Sequence, residues 1–335
     1  MSNLTFEQWT HTPEAQEWCA DNPDSSMCDT VETHYHYELT NEANLAFAII
    51  FAISLICFLV VFAITRRAVA FTLCLSLGVI CEVAGYVGRI MSYNNPWADG
   101  GFMLQMVALT IGPAFMAAGL YLCLRRIVTA YGQENSWIRA RSYTLIFVPC
   151  DIISLILQAM GGAAAGAATT IEDMQRGADI MTAGLACQVA TTVGFMIAVA
   201  FFIRRTRRRY SELGWDAYEQ NPSLVAMRGR WTFHAFMYAL ALSTIMILWR
   251  SCFRLAELAD GWGGPVMQRE DLFIGFEGVL IVVAVLALNV FHPAVCLGEV
   301  FVLPPEPSSR GGIFGIFRRN RQPEEMKTET FDESA

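Results

Sequence analysis

Seven stretches of about twenty apolar residues, separated by polar connections, run through the middle of the chain near 45–64, 69–91, 102–124, 143–164, 180–203, 232–254 and 272–291. A bilayer core of about 30 Å needs roughly 20 residues of helix, so each stretch is long enough to cross. Leu45 to Ile64 is apolar without two-residue alternation, which excludes the strands of a closed barrel. The pattern predicts an all-α integral membrane protein, a seven-transmembrane helix bundle. Around its membrane domain at 45–295 lie an acidic N-terminal tail at 1–44 and a partly disordered C-terminal tail at 296–335. No repeat divides the chain into two homologous transporter halves.

Composition agrees, since 54% of the residues are hydrophobic and only 16% charged. The net charge of −8 conceals a segregation that predicts orientation. No Lys or Arg precedes Arg66, whereas alternate connections and the C-terminal tail hold eighteen of the 23 basic residues. The positive-inside rule then puts the N-terminus outside and the C-terminus in the cytosol. The first apolar stretch starts about 45 residues in with no basic flank, so it reads as a signal anchor rather than a cleaved peptide. In the tail, Asn3-Leu4-Thr5 is a glycosylation sequon, and Cys19 and Cys28 are either a disulfide or two free thiols. The other eight cysteines form no CxxC pair and read as packing residues. The connection from Arg204 to Trp231 opens with a basic cluster suited to an anionic leaflet, chiefly as a topology determinant. Ile313, Phe314, Ile316 and Phe317 precede Arg318 and Arg319 in a pattern suited to lying in the interface.

Ionisable groups inside spans are costly and turn inward. Glu82 and Arg89, and likewise Asp151 and Gln158, are seven residues apart and share a face of their helices. Gln105, Gln188, Arg250, Arg254, Glu257 and Glu277 add polar groups in the half of the bundle expected to face outward. These ten residues are the candidate substrate-binding set. Their slight carboxylate excess suits an amphiphile with a cationic head group. The competing reading is a salt-bridge network that holds the helices together. Gly112 and Gly119 continue the stripe from Gln105, Gly161, Gly162 and Gly166 follow Gln158, and Pro113 interrupts the third helix, opening a groove or relieving packing. His234 and His292 read as capping or packing residues, and no third ligand converges on them for zinc. No nucleotide-binding or nucleophile motif is present, so neither an enzyme nor an ATP-driven pump is expected, and neither a cofactor nor nucleic acid is implied.

These residues also carry a family resemblance over about 45–295. Gly85-Tyr86-Val87-Gly88-Arg89, Gln105 with Pro113 and Tyr121, Asp151 to Ser154, Gln158 to Gly162, Gly184 with Gln188, Arg250 to Glu257, Glu270, Glu277 and His292-Pro293 stand in the order and spacing of the fungal lipid-translocating exporters, the RTA-like seven-helix proteins. The sequence departs from them at Ile274, where the family commonly has Tyr, and at Ala294, where Gly often follows His-Pro. The resemblance implies a multi-pass protein of fungal surface or internal membranes, tied to resistance against sphingoid long-chain bases or toxic sterols, or to porphyrin and haem handling. The leading expectation is a lipid or amphiphile translocator of the plasma membrane whose partners are membrane lipids. A lipid receptor signalling to a cytosolic partner through its basic loops is the alternative, and porphyrin handling the third.

Overall fold

The computed structural model describes residues 12–31, 33, 35, 37, 39–166, 168, 170–259, 266 and 268–298. The Asn3 sequon and the tail after Gly298 lie outside them. Among the described residues, seven helices are long and apolar enough to span a membrane: α1 Asn41–Thr65, α2 Val69–Asn94, α3 Asp99–Tyr131, α4 Ala140–Gly166, α5 Ile171–Leu213, α6 Trp231–Ala259 and α7 Glu270–Cys296. The protein is a multi-pass membrane protein.

Consecutive helices pack side by side, and α7 returns to α1 to close the ring. α3 is the most enclosed, with 72% of its most apolar stretch buried against 28% for α1, so it forms the axis on which the others lean. α1 shows the opposite pattern. Its buried Phe47, Phe51, Ser54 and Phe58 follow helical spacing on one face, while Ile49, Ile53, Ile56 and Ile64 are left for lipid. The α2–α3 contact is close because glycines meet there. A Cβ on Gly88 would stand 2.7 Å from the Gly101 carbonyl oxygen, so any larger residue would part the helices.

Two ends of the bundle differ. At the tail end, the helix Pro13–Asp21 is joined to Cys28 by the Cys19–Cys28 disulfide. Asn95 and Trp97, between α2 and α3, donate to the carbonyls of Ala20 (2.8 Å) and Val31 (3.2 Å) and dock this segment on the spans. At the arginine end, α5 runs on through Arg204–Arg209, where the sequence suggested a loop. At 43 residues it reaches roughly 64 Å, about twice a bilayer core. Past the hydrocarbon, arginine carries no desolvation cost and is a good helix former, and Arg208–Glu212 (2.9 Å) adds an i,i+4 pair. Beyond it, Arg228 donates to the carbonyls of Ala130 and Glu219, tying the connection back to α3.

In α7, residues Ile274–Val279 form a π-turn. Such a turn rotates the rest of the helix relative to an unbroken α-helical course. Here the turn carries Glu277, which is wholly buried in the bundle. His292 caps the turn Pro293–Cys296 by accepting from the Ala294 N–H, and its ring packs between Phe58 and Phe71.

Candidate functional site

Pro113 has no N–H, so the carbonyl of Leu109, four residues back in α3, loses its helical donor. Arg250 of α6 supplies one from Nη2, and the same nitrogen meets the Glu277 carboxylate on α7. One proline thus fixes where a guanidinium from another helix sits, and that guanidinium ties α3, α6 and α7 together. Glu82 of α2 completes the group. It is wholly buried, within electrostatic range of Arg250 and Glu277, and one of its oxygens lies 2.9 Å from where a Cβ on Gly112 would stand. Neither Glu82 oxygen has a hydrogen-bond partner, and the Glu277 Oε2 lacks one too. Three carboxylate oxygens of this group are therefore buried without donors. The Tyr86 hydroxyl, one helical turn from Glu82, is also unpartnered.

Next to this centre, Arg254 pairs with Glu257 at 2.5 Å and reaches the Met106 sulfur at 3.7 Å. Arg254 senses Glu277 and Tyr37 as well, which links the centre to the tail end. Arg89 stands there, wholly buried, with every guanidinium nitrogen satisfied: Nε on Asn44 (2.8 Å), Nη1 and Nη2 on the Tyr37 hydroxyl (3.3 Å each), and Nη2 also on Glu270 (3.1 Å). The Phe273 ring lies 3.9 Å from its carbon. Glu270 in turn accepts from the backbone and hydroxyl of Thr40. Beside it, the Tyr35 hydroxyl reaches Gln105 (2.8 Å) and Ser92 (3.0 Å). Burial pushes the Tyr35 phenol up to about 12, against the pull of Ser92 and Arg89, so it remains a neutral donor at physiological pH.

Of the ten sequence candidates, seven belong to this layer: Glu82, Arg89, Gln105, Arg250, Arg254, Glu257 and Glu277. Three do not join it. Asp151 accepts from Tyr121 (2.9 Å) between α3 and α4, and Gln158 donates to Gln188 (3.1 Å) between α4 and α5. Spacing along one helix shows which residues share a face, but leaves open which neighbour that face meets. Sequence reasoning placed Asn44, Tyr35 and Tyr37 in the tail and left Glu270 out of the set, although it stands in the family pattern. With Glu270 included, three arginines face four carboxylates. Among the described residues, no opening from the tail side reaches this layer in this conformation. Apart from Glu270, whose side chain is 14% exposed, every charged member of the layer is at least 95% buried, with Tyr35 and Tyr37 seated over Arg89.

The family model described as RTA1 like protein matches residues 75–299, two thirds of the chain, and contains all seven of these residues. The chain belongs to this family. Among curated relatives, the sphingoid long-chain base transporter RSB1 of Saccharomyces cerevisiae is 32% identical over 238 residues, 64% of this chain and 62% of its own length. Protoporphyrin uptake protein 1 of the same yeast is 30% identical over 217 residues, 64% of this chain and 65% of its own, and the yeast protein RTM1 is 30% identical over 70% of each. The chain thus spans somewhat less than two thirds of the length of the first two relatives. No solved structure matches.

Proposed function

We propose that this RTA1-family protein binds and moves a lipid-like amphiphile with a cationic head group, and that Glu82 and Glu277 receive that group. The observation carrying the reading is the set of three donorless carboxylate oxygens, two on Glu82 and one on Glu277. A primary ammonium has three donors and one positive charge, and so matches both the unfilled acceptors and the one-carboxylate excess. A sphingoid long-chain base has such a head group, and the relative named as a transporter of these bases supports that substrate class.

The protein acts in this reading as a carrier and not as a catalyst. Arg250 is held by the Leu109 carbonyl, so it can keep its place while an ammonium enters beside it. Entry from the tail side requires the Tyr35–Tyr37 segment to lift off Arg89 and Gln105. The Cys19–Cys28 disulfide, just before that segment in the tail, suits an oxidising exterior and the plasma membrane, in keeping with the positive-inside orientation. A porphyrin fits less well, because its propionates would meet excess negative charge.

The test uses the full chain reconstituted in vesicles with a fluorescent sphingoid base. Glu82→Gln and Glu277→Gln should each slow its movement at unchanged protein abundance, whereas Asp151→Asn, remote from the layer, should not. Equal rates for wild type and both Glu variants would overturn the proposal. Binding without movement, joined to capture of a cytosolic protein by residues 204–231, would favour a receptor instead. A saturable haem absorbance shift insensitive to both Glu variants would favour porphyrin handling.

A further inference from the structure

A second candidate site lies at the opposite end of the bundle. A cleft of about 390 Å³ opens between the α1–α2 turn and the last turns of α3, and Arg66, Arg67, Arg125 and Arg126 all line it. Four guanidinium groups around one space repel each other. Among the described residues, Arg66, Arg67 and Arg125 have no carboxylate within ion-pair distance, in contrast to the paired arginines of the charge layer. Gly298 adds to the shape, since a Cβ there would stand 2.8 Å from Arg67 Nη1.

The cleft wall is also positive where it is not arginine. α2 begins there at Val69, and its N-terminal N–H groups receive no side-chain cap from Ala68. Arg66 and Ala68 both hold left-handed backbone, with φ of 50° and 55°, and this sharp turn brings the two arginines beside the helix start. Toward the hydrocarbon, the site changes character. Val69 and Leu73, one turn apart on α2, are more than half exposed and give an apolar track leading away from the arginines.

We propose that this cleft binds a phosphate monoester, with the headgroup of an anionic phospholipid as its source: the arginines and the first turn of α2 hold the phosphate while the acyl chains lie along Val69 and Leu73. The site is separate from the charge layer, roughly 30 Å along α2 from Arg89. It does not depend on which amphiphile that layer carries.

Full-length protein in a neutral detergent would be titrated calorimetrically with short-chain phosphatidic acid, short-chain phosphatidylcholine and inorganic phosphate. Phosphatidic acid should bind saturably, inorganic phosphate more weakly, and phosphatidylcholine not at all. Arg67→Gln and Arg125→Gln should each weaken phosphatidic acid about five-fold. Arg67→Lys should retain most of the affinity, and Arg208→Gln, on the exposed end of α5, should leave it unchanged. Inorganic phosphate binding as tightly as the lipid would uphold the phosphate chemistry and overturn the lipid source. Absent saturable binding, equal binding of phosphatidylcholine, or an equal loss in Arg208→Gln would overturn the site. If melting shows that Arg125→Gln unfolds, Arg66→Gln at the exposed turn takes its place.

Discussion

Arg89, near one end of α2, gives each guanidinium nitrogen an acceptor, while Arg66 and Arg67, just before the other end, have no carboxylate partner among the described residues. The difference follows solvent access. Arg89 is wholly buried and would carry a desolvation cost of several kcal/mol if unpaired, whereas Arg66 and Arg67 are exposed to solvent and incur little. An unpaired charge therefore means different things at the two ends. At the arginine end it is ordinary chemistry available to an outside anion. In the charge layer it is an exception, and Glu82, neither of whose oxygens has a hydrogen-bond partner, is that exception.

The largest expected effect comes from deleting the central guanidinium. Arg250→Met leaves Glu82, Glu277 and the Leu109 carbonyl buried together without their shared cation, and breaking a buried pair in this way typically costs about 3–5 kcal/mol. Thermal unfolding in detergent should show a clear loss, and Glu277→Leu added to Arg250→Met should recover part of it. A single variant as stable as wild type would mean that the layer is hydrated, and the contrast between the ends would fail. A middle-sized effect is expected from Cys19→Ser, which opens the short loop holding the tail segment, at about 2–3 kcal/mol of local stability. Hydrogen exchange at Tyr35 and Tyr37 should quicken while the spans keep their protection. Unchanged exchange would show that Asn95, Trp97, Gln105 and Arg89 hold the segment without the disulfide.

Legibility divided along the same physical line. All seven spans were readable, because hydrocarbon demands long apolar runs and penalises charge. Their ends were not, because that penalty stops at the interface: α3 extends to Tyr131 and α5 to Leu213 through residues that read as connections. Within the site, Glu82, Arg250 and Glu277 stood out as charges in spans. Asp151 stood out for the same reason yet, among the described residues, pairs only with Tyr121, because the rotation of α4 against its neighbours is set by packing such as Gly161 against the Met181 backbone. Tyr37 and Asn44 were invisible because a polar residue in a tail carries no penalty that would mark it. The Leu109 carbonyl was legible in principle: a proline inside a helix always frees the carbonyl four residues before it, and an unpaired inward arginine is a natural donor to look for.

That last contact gives the smallest and most discriminating change. Pro113→Ala restores an N–H that the Leu109 carbonyl can accept, so the helix bond and the Arg250 bond compete for one oxygen. Regaining one bond while weakening another should leave stability within about 1 kcal/mol of wild type. Arg250 would then be held mainly by Glu277, and sphingoid-base movement should slow more than stability changes, because a guanidinium released from α3 settles more deeply between the two carboxylates that the ammonium needs. If the variant instead gains the roughly 3 kcal/mol expected on removing an ordinary helix-interior proline and moves substrate at the wild-type rate, the Leu109 bond is idle. Pro113 would then be a packing feature, and Arg250 would owe its place to Glu277 alone.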